Sequence, residues 1–516
     1  MALSKFSRFL YVFGLCLFAA ALPLSKAFLT IAQIALGISW LLNINYKEKL
    51  KLFVENRILW WFPLLLILHF VFLINTEDIN YAARDINIKI PLFLVPFVVA
   101  TTTKPNKKEL RSILGFFCAA VFAGAAIVIG KYIASEMGWI EEVLEHRLLS
   151  SFTSHIRFSL MMCFSVVLLC FAFKEKMISG ALCLLNAIVL LLCMVLLESI
   201  TGLLTLGIIA LPLLMLLLDW EHKKYFKKIV VGSLMIFVVA GAYFYYEIND
   251  IFVVKNNQNA TPDTPSRNPY YNDINNPATE NGYYLWRNVC EKEMQEAWDK
   301  KSEFSYDSLD KKGQELKITL LRYLTSLGLK KDAQGMAQLS AEDIVNIEKG
   351  EANAVNSNSN PVRKRIRELL REIDIYSHGE AVNNSSLTQR FVYWKTGVEI
   401  ISENYLWGVG TGDVQNAFNV QYDKDKSTLT GDLRRHTHNQ YLTFWISFGI
   451  AGFLFFLVML FSLYRYTFQL EYPFLAKIFA LIILLSMLSE DTLETQAGVS
   501  FFVFFFALFW AGKKSA

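Results

Sequence analysis

Apolar runs long enough to cross about 30 Å of hydrocarbon recur along this chain from Phe9 to Phe244 and again from Tyr441 to Trp510. Between them lies one long polar segment, from about Glu247 to Arg434. That alternation excludes most folds open to a chain of 516 residues. With 54% hydrophobic and 19% charged residues, and with 41 Phe and 11 Trp, the apolar load exceeds what one soluble core can hide. Disordered, collagen-like and disulfide-scaffold classes fail on the same composition. A net charge of +4 is too small to argue for a nucleic-acid partner. A polytopic, all-α integral membrane protein remains.

The runs are centred near residues 16, 35, 66, 95, 122, 165, 187, 208, 237, 452, 481 and 504, which predicts about twelve spans. The fourth contains Pro91 and Pro96, and the eleventh is short. Three regions are expected: spans one to nine over 1–246, a large polar loop over 247–434, and spans ten to twelve over 435–516. Lys5 and Arg8 precede an apolar run as in a secretory signal. The second run follows after only a Pro23-to-Lys26 turn, so an uncleaved hairpin of two spans is expected.

Lys and Arg set the orientation. Alternate loops carry Lys5 and Arg8; Lys47, Lys49, Lys51 and Arg57; Lys104, Lys107, Lys108 and Arg111; Lys174 and Lys176; Lys223, Lys224, Lys227 and Lys228; Arg465 and Lys477; and Lys513 and Lys514. The opposite short loops hold only Lys26, Arg84, Lys89, Lys131, Arg147 and Arg157. They are relatively acidic, with Glu77, Asp78, Glu141, Glu142, Glu145, Glu490, Asp491 and Glu494. Both termini are therefore expected in the cytoplasm and the polar loop outside. Six of the cysteines lie in apolar runs and Cys290 is alone in the loop, so no disulfide framework is expected there.

Within the loop, Asn256 to Glu280 reads as irregular chain. Helices are predicted over Tyr283–Lys301, Glu315–Leu327, Ser340–Lys349, Pro361–Tyr376 and Leu387–Ser402. A break falls at Asn353–Asn360, and a Gly-rich bend at Gly408, Gly410 and Gly412. The apolar stripes are narrow, so the loop is expected to cap the membrane region rather than to form a catalytic domain. Arg363, Lys364, Arg367 and Arg371 form a positive stripe, with Glu368 and Glu372 interleaved, that reads as a solvated, salt-bridge-laced face. Contact with anionic lipid heads or acceptor phosphates is the functional alternative.

The most informative segment is Arg434-Arg435-His436-Thr437-His438-Asn439-Gln440, at the mouth of the tenth span. Ionisable groups there are costly unless they have partners or a task. A neutral imidazole can take a proton from a hydroxyl; a wet interface is the plainer reading. His436 shares a face with His438 on an extended segment, but two histidines without a ligand-spaced third do not make a metal site. Arg157 begins the sixth span on the outer side, as an anion contact or an interface anchor. Glu198 lies in the break before the next span.

His438-Asn439 followed by Gly449 and Gly452 resembles the signature of the O-antigen ligase and polymerase superfamily, the Wzy_C-type membrane glycosyltransferases. Arg390-Phe391-Val392-Tyr393-Trp394, leading to Gly408-Val409-Gly410-Thr411-Gly412, resembles that family's Arg-to-Gly segment. At residue level the resemblance covers roughly 390–455, with weaker likeness near 155–161 and 486–505. It implies a GT-C-like enzyme of the bacterial inner membrane with its active site facing the periplasm. The reaction implied moves a glycan from undecaprenyl diphosphate to a sugar hydroxyl of lipid A-core, without metal or other cofactor and with inversion. His438 would be the base and Arg390 the diphosphate clamp. Arg157, Arg434 and Arg435 are expected as further donor contacts, with ordinary positive residues at a loop end the equal alternative for Arg434 and Arg435; Asn439, His436, Glu198, Glu490 and Asp491 are expected in supporting roles. Family members often carry an Arg where this chain has Thr201, and Arg157 is the candidate replacement. A polysaccharide polymerase and an O-linked protein oligosaccharyltransferase share the chemistry and differ in acceptor. A lipid-glycan flippase is the non-enzymatic rival, and it would place its ionisable residues nearer the membrane midplane.

Overall fold

The structure is a computed structural model that describes residues 2–43, 45–141, 143, 146–217, 223–255, 259–357, 359–377 and 386–510. Glu142, Glu145, Lys513 and Lys514 of the charge pattern lie outside the described residues, as do 256–258 of the expected loop. The side chains of Arg147, Lys223, Lys224, Lys227 and Lys228 lie outside them as well. The chain divides into two compact units, 1–220 with 381–516, and 221–380.

The first unit is helical. Among the described residues, six helices are long and apolar enough to cross a membrane: Lys5–Leu24, Arg57–Asn75, Lys107–Glu136, His155–Lys174, Ile200–Leu217 and Gln440–Gln469. They coincide with the runs expected near 16, 66, 122, 165, 208 and 452. A seventh is reached if Lys26–Leu41 and Tyr46–Glu55, bent by 117° at their junction, count as one span. The runs near 187, 481 and 504 form shorter apolar helices, Gly180–Leu196, Pro473–Ser489 and Gln496–Trp510. The run near 95 is an 11-residue helix that Pro91 opens at its first turn, where a missing N–H costs nothing. It follows a separate polar helix, Ile79–Lys89, capped by the Asp78 carboxylate.

Lipid offers no hydrophobic driving force between helices, so close packing must hold them. The Gln496–Trp510 helix is the centre of that packing, buried from Ala497 to Trp510. Phe504 stacks on Phe18 at 4.6 Å, Phe502 meets Phe62 edge-on at 5.6 Å, and Phe505 meets Phe117 at 4.9 Å. A glycine permits a closer approach elsewhere: a Cβ at Gly202 would lie 2.5 Å from that of Ser159. Outward-facing Phe9, Leu184 and Phe461 are more than 60% exposed, as expected of side chains that meet lipid tails.

The second unit, 221–380, has a core of its own around Trp298, Leu320, Tyr323, Leu324, Met336 and Ile347. The narrow apolar stripes of its helices close on one another in that core. The expected Tyr283–Lys301 helix is corrected, since only Glu291–Trp298 is helical. Asn281 and Gly282 both take positive φ (52° and 80°), and they join Thr279–Glu280 to Tyr283–Tyr284 as a hairpin. Asn-Gly favours that turn because both residues tolerate left-handed backbone.

The basic stripe after Pro361 is laced with salt bridges as expected, but it packs within the unit and Arg367 is buried. Arg367 is 2% exposed and reaches Glu247, Asp250 and Asn281. Arg363 pairs with Glu247, Lys364 with Glu351 and Arg371 with Glu280. These cations join the Pro361–Ser377 helix to the Lys223–Phe252 helix and the hairpin within the unit.

Candidate active site

Tyr393 and Trp394, on the Ser386–Glu403 helix, hold the chain ahead of the His-Asn motif. The Tyr393 hydroxyl donates to the Leu433 carbonyl at 2.6 Å, and the Trp394 indole N–H donates to the Thr437 carbonyl at 3.0 Å. Asn439 then caps the Gln440–Tyr466 helix, its side chain accepting from the N–H groups of Tyr441 and Leu442. That capping role is what Asn supplies best. His438 lies between these anchors at φ 48°, a left-handed backbone that costs a non-glycine residue about 1–3 kcal/mol.

Gly449 breaks that helix at φ 60°, ψ −168°. A Cβ there would stand 2.1 Å from the Leu406 carbonyl oxygen. Through this opening the Gly-rich bend pairs with the helix: Val409 N–H donates to Ile446 and Gly410 N–H to Ser447. The spacing from His438-Asn439 to Gly449 thus sets how the Gly408–Gly412 segment, and the Arg390 helix before it, meets the His-Asn helix.

Asp491 brings the two histidines together. Its Oδ1 accepts from the Thr443 hydroxyl at 2.8 Å. Its Oδ2 faces His436 Nδ1 at 2.8 Å and His438 Nδ1 at 3.8 Å. The His436 approach is an ion-pair contact, close but not aligned as a hydrogen bond. The carboxylate is 3% exposed, whereas the His436 and His438 side chains are 23% and 27% exposed. A buried anion therefore backs two imidazoles that remain reachable.

Their protonation diverges. Burial lowers the His436 pKa, but the Asp491 carboxylate more than reverses this and the net shift is upward. Burial pushes His438 down to about 4; Asp491 pulls it back in part, while His436, Arg390 and Arg435 add to the downward push. Asp491 itself is held below its ordinary value, since His436 outweighs the cost of its burial. The site contains an imidazolium-favouring His436 and a neutral His438.

Beside this trio, Glu490 holds both candidate clamp arginines. Arg157 Nη2 donates to its Oε2 at 3.1 Å, and Arg390 Nη2 lies 3.5 Å from its Oε1. Ser154 caps the His155–Lys174 helix and so sets Arg157 in its first turn. Among the described residues the buried Arg157 Nε has no hydrogen-bond partner, a donor left for something else to satisfy.

A second cluster lies beside it that sequence pattern alone does not reveal. Lys89, 1% exposed, pairs with Asp85 and, at 2.8 Å, with Glu494 Oε2. Gln440 donates to the other Glu494 oxygen at 3.1 Å, and its carbonyl accepts from Leu493 N–H at 2.6 Å. The 490–495 turn is thereby tied to both the Ile79–Lys89 helix and the His-Asn helix. A small cavity lies there, with Asp85, Lys89, His436 and Glu494 on one part of its lining and Phe444 and Phe448 on another. The available signals were a lone Lys before the Pro91 run and a Gln directly after His-Asn.

The remaining sequence candidates make other contacts. Arg434 pairs with Asp423 at 2.6 Å, and the exposed Arg435 side chain donates to the Asp432 carbonyl at 3.4 Å. Glu198, at φ 51°, stands 3.7 Å from His146. Asn439 acts as a cap and donates to the Leu488 carbonyl at 3.1 Å.

Residues 339–457 match the family model described as O-antigen ligase, Wzy_C. The chain carries an O-antigen ligase-family domain. No curated protein matches the chain. The matched O-antigen ligase-family segment contains Arg390, His436, His438 and the Gly449 break, while Arg157, Lys89, Glu490 and Asp491 come to it from outside. The match over 339–457, together with several apolar helices, supports a multi-pass membrane protein of ligase or polymerase type.

Proposed function

We propose that the chain is an O-antigen ligase-like glycosyltransferase that moves a glycan from undecaprenyl diphosphate to a lipid A-core sugar hydroxyl. It would act at the outer face of the bacterial inner membrane, with about twelve spans and both termini in the cytoplasm. The observation that carries this reading is the meeting of Arg157 and Arg390 at Glu490, beside His438 and Asp491, in a chain matched to the O-antigen ligase family.

The glycan–diphosphate bond is already activated. Attack by the acceptor oxygen on the anomeric carbon breaks the carbon–oxygen bond to the diphosphate, and the bonding electrons stay with the diphosphate. The guanidiniums of Arg390 and Arg157 meet the charge that develops. His438 takes the acceptor proton, and approach opposite the leaving group inverts the anomeric centre. At rest His438 is a weak base partly because Arg390 stands near. A diphosphate on Arg390 offsets that positive charge, so donor binding raises the basicity of His438 where it is needed. Arg157 takes the place of the arginine that Thr201 lacks.

The test is a gel of envelope glycolipid from a strain without this chain, with the lipid-linked pool analysed beside it. Long polymer stranded on the polyprenyl carrier with bare lipid A-core is the expected result. Single repeat units on carrier or core would identify a polymerase instead. An unchanged profile would contradict both readings and leave protein glycosylation or transport.

A further inference from the structure

We propose that Glu490 is a built-in counter-anion that holds the Arg157–Arg390 pair between turnovers and drives the spent polyprenyl diphosphate off it. The inference rests on the donor reading above and deepens it.

Glu490 cannot easily move away from the arginines. It follows the Pro473–Ser489 helix directly, its N–H donating to the Ser486 carbonyl at 2.9 Å and its carbonyl accepting from Thr492 N–H at 3.0 Å. The side chain is 9% exposed. Among the described residues its carboxylate meets only Arg157, at 3.1 Å, and Arg390, at 3.5 Å. Deserting both would leave a buried charge unpaired, which is strongly unfavourable. Neither guanidinium is saturated by this one acid. Among the described residues Arg157 Nε has no hydrogen-bond partner, and the Arg390 contact with Glu490 is long at 3.5 Å. An anion can therefore join the cluster while Glu490 stays.

Charge balance then distinguishes the two ligands. Two guanidiniums and one carboxylate leave one net positive charge for the donor. The donor is a diphosphate esterified at both ends. When its glycan leaves, the freed terminal oxygen adds a negative charge, so the product is drawn more strongly to the arginines than the donor was. A carboxylate fixed beside the same arginines repels the product more than the donor. Without it, product retention would limit turnover, as is common when release is slow.

The experiment uses the purified full-length chain in detergent and farnesyl diphosphate as the product-like probe. Binding is measured by calorimetry, and transfer is followed in single and multiple turnovers. Glu490→Gln is expected to bind the probe roughly tenfold tighter and to lose more rate in multiple turnovers than in a single turnover. A folded Glu490→Gln that binds the probe no better than wild type would overturn the proposal. If Glu490→Gln does not fold, Glu490→Asp, with its carboxylate drawn back, is expected to bind severalfold tighter; equal or weaker binding overturns the proposal on that variant. A wild type that transfers glycan but shows no tightening in either variant defeats this inference alone. A wild type that binds no farnesyl diphosphate and transfers nothing defeats the donor reading as well.

Discussion

Arg157 and Arg390 meet at one carboxylate: Glu490 Oε2 lies 3.1 Å from the first and its Oε1 3.5 Å from the second. One arginine comes from the first turn of a membrane helix and the other from the helix that precedes the Gly-rich bend. Both have donors to spare for a diphosphate. Replacing either by Ala is expected to lower kcat/KM for the lipid-linked donor roughly 10- to 100-fold, the scale of a charged hydrogen bond. Lys at either position should recover only part, because an ammonium lacks the planar fork. Steady-state kinetics with varied donor check this. An unaffected Arg157→Ala would remove that residue from the clamp.

Asp491→Asn tests the carboxylate between the histidines. Its charge raises the pKa of His436. The ion pair therefore contributes stability that is full below the ordinary histidine pKa and is lost as pH rises through the raised value. In the Asn variant, His436 should lose its proton at lower pH than in wild type. Imidazole NMR of histidine-labelled protein reads this directly. Transfer should fall about 100-fold, within the range of a disturbed general base, with little change in donor binding.

Lys89 stands between two acids, Asp85 and Glu494, in the protein interior. Lys89→Met leaves both carboxylates without their cation and is expected to destabilise the first unit by about 3–5 kcal/mol, as breaking a buried pair does. The thermal melting of detergent-solubilised protein should drop, and transfer should fall with it because Glu494 and Gln440 fix the turn that bears Asp491. Lys89→Arg, which keeps the charge, should lose less on both measures.

In the second unit, Lys331 is fully buried and donates to the carbonyls of Tyr284 and Arg287 at 2.8 and 3.0 Å. Burial pushes its pKa down to about 7. The unfolded chain binds this proton more tightly, so the unit gains stability as pH rises from about 7 toward the ordinary lysine value, and not below it. Hydrogen exchange of the Leu316–Ser326 helix at pH 7 and pH 9, corrected for intrinsic rates, should show that gain. Lys331→Met should abolish it.

What the sequence made legible was whatever depends on local pattern. The long apolar runs, the Ser340 helix start with its capping box and the His-Asn motif at a helix mouth are all local. Arg157, Arg390 and the Glu490–Asp491 pair each stand out in the sequence, but nothing in it says that they touch. That meeting depends on packing between distant helices. Arg434 and Arg435, adjacent to the histidines in sequence, turn instead toward Asp423 and the Asp432 carbonyl. Lys89 read as one more loop cation, because its burial is set by Asp85 one helical turn earlier and by Glu494 near the other end of the chain. The Asn281-Gly282 turn was local and readable, yet an amphipathic pattern over 283–301 obscured it.

The most direct test of the central claim is transfer by the purified chain in detergent, with a glycan on undecaprenyl diphosphate, lipid A-core as acceptor, and His438→Ala run beside wild type. The account predicts a mass gain of one glycan on the acceptor with wild type and a loss of about 100- to 10,000-fold in rate with the variant. A wild type that transfers nothing in detergent, or a His438→Ala variant that turns over normally, would contradict it.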